Sequence, residues 1–451
     1  MTTNYWLATC AAAAMLWGGH AGPPPRPQAG SSVERTIVST IDAHNGDALA
    51  LLERVVNINS GTQNLAGVRE VGAIFRAELA GLGFKTTWVD GASWQRAGHL
   101  VADHPGSGPR ILLIGHLDTV FELDSPFQKF ERVNPARAGG AARADEANTA
   151  RGPGVIDMKG GDVIIVQALK ALDVAGVLKT MNVVVVMTGD EEEPGRPLSR
   201  ARAALVAAAK GADVAIGFED GPGDPRYAVT ARRSTTSWEL RVKGTPAHSS
   251  QIFREDIGAG AIFEAARILN AFREKMAGEA HLTFNPGTIV GGTSISFDAP
   301  QARGTAFGKT NVVAEQALVA GDLRAVTNAQ LEHAMATMKA VAAASMPHTQ
   351  ATLTFDEGYP PLAPTEGNAR LLAIYDRVSQ DLGFGAVTAV SPDKAGAADV
   401  SFVAGEVKMI LDGVGLMGHD DHTAGETADL TSLPSQTKRA AVTLYRVSRS
   451  G

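Results

Sequence analysis

The segment Ile111–Asp118 reads ILLIGHLD, a run of four apolar residues followed by Gly, His, Leu and Asp. A wholly apolar run of this length is typical of a parallel strand that is buried on both faces. Val183–Met187 and Val214–Phe218 have the same character. A helix predicted over Val163–Leu172, with Asp162 as its N-cap, lies between the first two runs, so the chain must cross over between strands. The sequence therefore predicts an α/β fold with a mixed, mostly parallel central sheet flanked by helices.

The length and composition of the chain limit its class. With 451 residues the chain is too long for one hydrophobic core, which favours two domains. Its 44% hydrophobic and 20% charged residues are typical of a globular protein. A net charge of −7 and the lack of a Lys/Arg cluster argue against nucleic-acid binding. Beyond the N-terminal segment, no stretch reaches the length of about 20 apolar residues that a membrane span needs.

After Tyr227 the pattern changes to strands in which polar and apolar residues alternate. The predicted order is strand, helix, strand, strand, helix, strand, which is the split arrangement of a ferredoxin-like unit. The elements are strands at Thr236–Val242, Leu282–Val290, Val312–Leu323 and Ala351–Phe355, with helices at Gly258–Lys275 and Ala329–Ala344. We therefore predict that residues 228–356 form a small α+β domain, inserted into a larger domain made of residues 33–227 and 357–451.

Residues 1–32 differ from the rest of the chain. Tyr5–Gly18 is largely apolar and a Gly/Pro-rich stretch follows it, which is typical of a signal peptide, although no Lys or Arg precedes the apolar run. We expect a periplasmic or secreted protein; the alternative is a short disordered N-terminus on a cytoplasmic protein. Cys10 is the only cysteine, so a metal site must use His and carboxylate ligands.

Residues of the metal-ligand type follow the predicted buried strands. In open α/β sheets, ligands bind beyond the carboxyl ends of the strands, so the residues delivered there are informative. They are His116 and Asp118 after the first strand, Asp190–Glu193 after the second, Glu219 after the third, Asp157 in a Gly-rich loop, and His419 and His422 after a strand at Val407–Leu411. Each motif alone could be structural, but their common placement at strand ends favours one functional site.

The acidic run Asp190–Glu193 would repel itself strongly if all its carboxylates were ionised, and a divalent cation removes this conflict. Zinc takes His nitrogen and carboxylate oxygen as ligands. Two His with three carboxylates, one of them bridging, fit two ions about 3.5–4 Å apart. A carboxylate that is not bound to metal is then free to take a proton from a bridging water.

Five motifs appear in order along the chain and together resemble a known family. They are GHLDTV at 115–120, GPGVIDMKGG at 152–161, DEE at 190–192, FE at 218–219 and HTAGE at 422–426. They resemble those of the metallopeptidase family that contains glutamate carboxypeptidase, succinyl-diaminopimelate desuccinylase and aminoacylase, and look most similar to the glutamate carboxypeptidase branch. The resemblance covers roughly residues 40–445.

The resemblance implies a site with two Zn²⁺ per chain, for which Co²⁺ or Mn²⁺ could substitute. In it Asp157 bridges both ions, His116 and Glu219 complete one site, and Glu192 and His422 complete the other. His419 lies three residues before His422 and is an alternative terminal ligand; the spacing from His422 to Glu426 favours His422.

The same resemblance implies further roles. Glu191 would be the general base and then the acid that protonates the leaving amine, and Asp118 would orient His116. The inserted domain would act as a lid and mediate a homodimer, in which His248 reaches the partner's active site and stabilises the oxyanion. Asn311 and Arg324 would contact substrate, although Arg324 could also be a surface strand cation.

These observations favour a di-zinc exo-hydrolase that cleaves an amide bond next to a free carboxylate, by means of metal-activated water and Glu191. Such an enzyme is a carboxypeptidase or an N-acyl-amino-acid amidohydrolase, with a small peptide or an N-acyl amino acid as substrate. An aminopeptidase or dipeptidase of the same fold would share the metal site but recognise a free amine. A non-catalytic solute-binding protein is the third hypothesis, and it would hold no metal.

Overall fold

The computed structural model describes residues 30–133, 148–299 and 301–450. The predicted signal segment therefore lies, except for its last three residues, outside the described residues. The helices are α1 Ser32–Ala43, α2 Asn45–Val56, α3 Leu65–Gly81, α4 Lys159–Val174, α5 Leu198–Ala201, α6 Ala203–Ala209, α7 Gly260–Met276, α8 Asn328–Ala343, α9 Glu366–Asp381 and α10 Ser432–Ser448. None of these described helices is both long enough and apolar enough to cross a membrane.

The described strands form one sheet of six strands, two sheets of four strands and two sheets of two strands. They are β1 Lys85–Asp90, β2 Gly98–His104, β3 Ser107–His116, β4 Glu131–Arg132, β5 Thr149–Arg151, β6 Met181–Thr188, β7 Val214–Gly217, β8 Tyr227–Ala228, β9 Thr236–Gly244, β10 Thr283–Gly292, β11 Ser294–Asp298, β12 Arg303–Phe307, β13 Gln316–Arg324, β14 Thr349–Phe355, β15 Thr388–Ala389, β16 Met409–Leu411, β17 Gly418–His419 and β18 Thr427–Asp429.

The central sheet has six strands in the order β1-β2-β6-β3-β7-β16. The β6–β3, β3–β7 and β7–β16 pairs are parallel, and the β1–β2 and β2–β6 pairs are antiparallel. This arrangement confirms the predicted mixed, mostly parallel sheet. Strands β1 and β2 form one edge of the sheet, and this antiparallel edge was not predicted.

Helices cover both faces of the central sheet, which explains why its strands are apolar throughout. Ile111 and Leu113 of β3 pack into a core with α1, α2, α4 and α10, whereas Leu112 and Ile114 pack into a second core with α6. Successive residues of a strand point to opposite faces, so a strand covered on both sides needs apolar residues at every position.

Helix α4 begins four residues earlier than the sequence predicts, so the prediction of Asp162 as N-cap is wrong. Met158 occupies the N-cap, and Asp162 lies wholly buried in the first turn. A Cβ atom at Gly161 would lie 2.0 Å from the carbonyl oxygen of Phe218. The helix can therefore start against the end of β7 only because this residue lacks a side chain.

The second sheet has four antiparallel strands in the order β10-β13-β9-β14. Helices α7 and α8 cover one face and share a separate hydrophobic core with it. The element order and the sheet order are those of a ferredoxin-like unit. The hairpin β11–β12 was not predicted, and β13 begins at Gln316 rather than at Val312. We call residues 236–355 the inserted region.

The two linkers of the inserted region run side by side. Thr235, before β9, forms an antiparallel bridge with Tyr359, after β14. Arg232 and Leu362 form another bridge, nearer to the central sheet. Val229 pairs with Asp412, which follows β16 of the central sheet. The inserted sheet begins at Thr236, where its first strand was predicted to start. The division into domains at 228 and 356 stays a prediction.

Candidate metal centre

The five candidate metal ligands converge at the carboxyl ends of the parallel strands of the central sheet. His116 ends β3, Glu192 follows β6 and Glu219 follows β7. Asp157 lies on the loop before α4, and His422 lies between β17 and β18. They form two groups, His116–Asp157–Glu219 and Asp157–Glu192–His422, in each of which the ligand atoms lie within 4.8 Å of one another. The structure thus brings all five residues together.

Asp157 belongs to both groups because its two carboxylate oxygens face different histidines. Its Oδ1 lies 2.9 Å from Nε2 of His116, and its Oδ2 lies 3.0 Å from Nε2 of His422. Glu219 approaches Nε2 of His116 at 3.6 Å, and Glu192 approaches Nε2 of His422 at 3.1 Å. A carboxylate shared between two such groups is in a position to bridge two cations.

The two histidines of the C-terminal segment lie in different surroundings. His422 faces Asp157 and Glu192, and its backbone φ of 58° is in the left-handed region that residues other than glycine rarely adopt. His419 lies on β17, where its ring contacts Asp420 and Thr427. Among the described residues, His422 completes the second group, and His419 belongs to neither.

Asp118 joins His116 to the acidic turn Asp190–Glu193. Nδ1 of His116 donates to the carbonyl oxygen of Asp118 at 3.1 Å and also lies 3.4 Å from its carboxylate, which leaves Nε2 to face the other candidate ligands. The same carboxylate accepts hydrogen bonds from the backbone N–H groups of Glu191 at 3.0 Å and Glu192 at 3.1 Å. Asp118 therefore fixes both the ring and the turn, as expected of a carboxylate beside a metal-binding histidine.

Burial shifts the pKa values of the acids at this site. It raises the pKa of Glu191 and that of Glu219 well above the usual range, and the pKa of Glu192 to about 7. Burial acts on Asp157 in the same direction, but hydrogen bonds from His116 and His422 outweigh it and lower the pKa of Asp157. Burial also disfavours the charged form of His116, yet the surrounding carboxylates, Glu219 first, raise its pKa.

Divalent cations fit this set of donors. The side chains of Asp157, Glu192 and Glu219 are only 12%, 5% and 13% exposed, so water screens their charges poorly. Ionising all three together is costly unless a positive charge lies between them. Two histidine nitrogens and several carboxylate oxygens are ligands that zinc takes. The residues present therefore fit the two-metal site that the motifs imply.

The loop that carries Asp157 is held by a buried glutamate, Glu426. Its Oε2 accepts a hydrogen bond from the N–H of Gly154 at 2.9 Å, and its Oε1 accepts from Ile156 at 2.9 Å and from Asp157 at 3.2 Å. Glu426 is 0% exposed, and burial raises its pKa to about 8. The segment that supplies His422 thus also fixes the backbone of Asp157. Glu426 is part of a recognised motif, but its role was not predicted.

A cavity of about 300 Å³ lies beside the two groups. Its lining includes Asp157, Glu191, Glu219 and His422, the acids Asp220 and Asp421, and the cations Arg232 and Lys394. Nε of Arg232 donates to Asp412 at 2.7 Å and Nη1 donates to the carbonyl of Gly396 at 2.8 Å, whereas Nη2 donates to no described residue. The sequence did not indicate Arg232, because Arg233 is its neighbour and only the fold decides which of the two faces the cavity.

The three residues predicted to contact substrate or oxyanion belong to the inserted region. His248 is exposed and its Nδ1 lies 2.8 Å from the hydroxyl of Ser250. Asn311 is exposed, and Arg324 ends β13 and donates to Asp322 at 2.8 Å. Within the described ranges, none of the three forms a hydrogen bond with a candidate metal ligand. Their roles stay predictions.

Comparisons with known proteins agree with this geometry. The sequence profile of Peptidase family M20/M25/M40 matches residues 112–446. Carboxypeptidase G2 from Pseudomonas sp. (strain RS-16) is 26% identical over 398 residues, which cover 86% of each chain. The fold is similar to aminopeptidase PepT from Bacillus cereus, with a TM-score of 0.69, 17% identity and coverage of 89% of this chain and 98% of that chain. It is also similar to the Bacillus subtilis YXEP protein, described as a dinuclear metal binding peptidase from the M20 family, with a TM-score of 0.62, 15% identity and coverage of 91% and 100%.

Proposed function

This chain belongs to peptidase family M20/M25/M40, and we propose that it is a di-zinc exo-hydrolase that cleaves an amide bond next to a free carboxylate. Family membership makes the chain a peptidase. The proposal adds the metal, the end of the substrate that is recognised and the roles of the individual residues. Its substrate would be a small peptide or an N-acyl amino acid.

We assign His116 and Glu219 to one zinc ion, Glu192 and His422 to the other, and Asp157 to both. The two ligand groups that share Asp157 support this assignment. Bound there, the ions would lower the pKa of a coordinated water and polarise the carbonyl group of the amide. Asp118 would keep His116 in the orientation in which Nε2 faces the ions.

We assign the proton transfers to Glu191. It lines the same cavity as Asp157 and Glu219 but belongs to neither ligand group, so its carboxylate is free to carry a proton. It would take the proton of the attacking water and then give it to the nitrogen of the leaving amine. Asp118 supports this role because it holds the backbone N–H of Glu191 at 3.0 Å.

The single observation that carries the carboxylate specificity is the position of Arg232. With Nε and Nη1 engaged by Asp412 and Gly396, Nη2 is the donor that remains for a ligand in the cavity. Lys394 adds a second cation to the same lining. Charge-assisted pairing between a guanidinium group and a carboxylate is strong in a site from which water is excluded. We therefore propose that the free carboxylate of the substrate binds near Arg232.

A second candidate function is that of an aminopeptidase or dipeptidase. It is favoured by Asp220 and Asp421, whose carboxylates line the same cavity and could bind a free amine. The two functions share the metal site and differ only in which end of the substrate is charged.

A panel of substrates separates these candidates. Each N-acyl amino acid and dipeptide is assayed with a free and with an amidated carboxylate, and with a free and with an acylated amine. We expect hydrolysis to require the free carboxylate and to tolerate acylation of the amine. Unchanged rates after amidation would contradict the carboxylate specificity, and a requirement for the free amine would establish the second candidate.

Elemental analysis tests the metal assignment independently of any substrate. We expect about two zinc ions per chain, removed by a chelator and restored with Zn²⁺ or Co²⁺. Asp157→Asn should lower the occupancy of both sites, because its two oxygens face the two groups. Loss of one ion only would contradict the bridging role.

We also propose that the inserted region forms a homodimer with a second copy of the chain. Helix α7 exposes Ile262 and Phe263 at 48% and 53%, and β10, at the edge of its sheet, exposes Ile289 at 57%. Adjacent exposed apolar residues of this kind are typical of an interface. In such a dimer His248 could reach the other copy's active site. Light scattering should give twice the chain mass, and Phe263→Asp should give the monomer; a monomeric parent protein would contradict the proposal.

A further inference from the structure

A fully buried arginine, Arg202, lies behind the turn that carries Glu191. The residue is 1% exposed. Its Nη1 donates to Oδ1 of Asp190 at 2.6 Å, its Nη2 donates to the carbonyl oxygen of Asp190 at 2.9 Å, and its Nε donates to Asp399 at 2.6 Å. The carboxylates of Asp190 and Asp399 thus balance its charge. Its two hydrogen bonds to Asp190 hold the residue immediately before Glu191 in place.

Arg202 also determines the direction of a hydrogen bond to Glu191. Its Nη2 donates to the hydroxyl oxygen of Tyr359 at 2.6 Å, and that hydroxyl group donates to the carbonyl oxygen of Glu191 at 2.8 Å. A guanidinium group can only donate, so the hydroxyl oxygen must accept from it and the single hydroxyl hydrogen is left for Glu191. The contact between Tyr359 and Glu191 therefore has one possible polarity.

The backbone of Glu191 is held on both sides as a result. Asp118 accepts its N–H at 3.0 Å, and Tyr359 donates to its carbonyl oxygen at 2.8 Å. The Cα atom lies between these two peptide groups, so together they fix the direction in which the side chain leaves the backbone. A catalytic carboxylate displaced by about 1 Å can lose about a hundredfold in rate.

Tyr359 lies in the linker that leaves the inserted region. Its backbone pairs with Thr235 in the linker that enters this region. In the same outgoing linker, the carboxylate of Glu357 accepts a hydrogen bond from the N–H of Leu198 at 2.8 Å, soon after the acidic turn. The outgoing linker is therefore joined both to the turn that carries Glu191 and to the segment that follows this turn.

We propose that Tyr359, oriented by Arg202, is a positioning residue for Glu191, and that it couples the position of the inserted region to that of the general base. This inference rests on the proposed role of Glu191. Within the described residues the Tyr359 hydroxyl group forms no hydrogen bond with a candidate ligand, and we assign its effect to the hydrogen bond with the Glu191 carbonyl group.

The test compares Tyr359→Phe with Tyr375→Phe. Tyr375 is also buried, and its hydroxyl group contacts Gln436 at 3.5 Å, outside the site. We expect Tyr359→Phe to lower kcat about tenfold with KM and metal content nearly unchanged. Tyr375→Phe should leave kcat unchanged. In the absence of metal and substrate, hydrogen exchange of the peptide Gly189–Gly195 should become several-fold faster in Tyr359→Phe only.

A double variant separates positioning from general damage to the structure. If Tyr359 acts through Glu191, adding Tyr359→Phe to Glu191→Gln should change the residual kcat less than twofold, because the group to be positioned is already lost. A further tenfold loss would overturn the proposal, as would unchanged exchange in residues 189–195.

Failure of this proposal and failure of the proposed function give different results. If the parent protein hydrolyses its substrate through Glu191 and Tyr359→Phe matches the parent in kcat and exchange, only the positioning role is wrong. If Glu191→Gln keeps the parent's activity, the proposed mechanism itself is wrong, whatever the exchange measurements give.

Discussion

The central sheet is covered by helices on both faces, whereas the inserted sheet has helices on one face only. The difference is visible in single strands. Residues of β6 are buried at seven of eight positions, whereas β14 alternates between half-buried and exposed positions along its length. All five candidate ligands belong to the first arrangement and none to the second.

This comparison shows where buried charge is tolerated. The central region buries Arg202, Lys159, Asp162 and Glu426 almost completely. In the inserted region, Glu264 is the buried acid that the described residues contain, and Arg267 pairs with it on the same helix. Buried charges are costly and concentrate where chemistry needs them. This distribution of buried charge supports the proposal that the central region carries the reaction.

The largest effect should come from removing the base. Glu191→Gln should lower kcat by about 10²- to 10⁴-fold without loss of metal, because the amide cannot accept the proton of the attacking water. Glu239→Gln, on β9 of the inserted region, is the matched control and should have no such effect. Steady-state kinetics and elemental analysis of both variants provide the measurement. Near-normal turnover by Glu191→Gln would contradict the division of roles between the regions.

Cavities in the two cores should have effects that differ in kind. Leu113→Ala and Leu240→Ala each remove a fully buried side chain, from β3 and β9 respectively, and should each cost about 2–5 kcal/mol in the free energy of unfolding. Denaturant titration measures both. Leu113→Ala should also weaken metal binding, since β3 carries His116, whereas Leu240→Ala should not. Equal losses of metal affinity would show that the two cores are not separate.

Two fully buried glutamates offer a finer comparison. Glu426→Gln should weaken metal binding about 10- to 100-fold, because an amide cannot accept three backbone hydrogen bonds on the loop of Asp157. Glu264→Gln should lower stability but leave metal affinity unchanged. Competition with a chelator of known affinity measures both variants. A normal affinity in Glu426→Gln would mean that the loop holds its shape without this carboxylate.

The smallest effect concerns pH. Burial lowers the pKa of His99, which packs against Trp94. In the unfolded chain this histidine therefore binds a proton more readily than in the folded protein. Its contribution to the free energy of unfolding is fully present above about pH 6.5 and is lost as the pH falls below that value. His99→Gln should lose this part of the acid dependence in denaturant titrations between pH 5 and about pH 7. The matched variant is His333→Gln, at an exposed position of the inserted region; identical slopes in the two variants would refute the assignment.

Short-range patterns were sufficient to predict the parallel strands of the central sheet and the candidate ligands that follow them. Apolar runs such as Ile111–Ile114 have the length of a buried strand, and His116 and Glu219 follow such runs directly. In open α/β sheets, ligands bind beyond the carboxyl ends of the strands. Motifs that directly follow predicted strands therefore indicated most of the candidate site. The choice of Glu191 as base and Glu192 as ligand came from the family resemblance.

The rest depended on contacts between distant parts of the chain. Glu426 binds Ile156, 270 residues away, and Arg202 binds Tyr359, 157 residues away. No local pattern indicates which backbone groups a buried glutamate will meet. The incorrect N-cap at Asp162 has the same origin, because the start of α4 is set by the approach of Gly161 to Phe218, at the end of another strand.

The order of the candidate ligands along the chain bears on how the protein is made. His116, Asp157, Glu192 and Glu219 precede the inserted region, whereas His422 and Glu426 follow it. A ribosome releases the chain from its N-terminus, and domains generally fold in that order. The nascent enzyme therefore carries its acidic residues for most of its synthesis without the histidine of the second group or the glutamate that holds Asp157. Both groups of candidate ligands would be complete only when this late segment has been released and has docked.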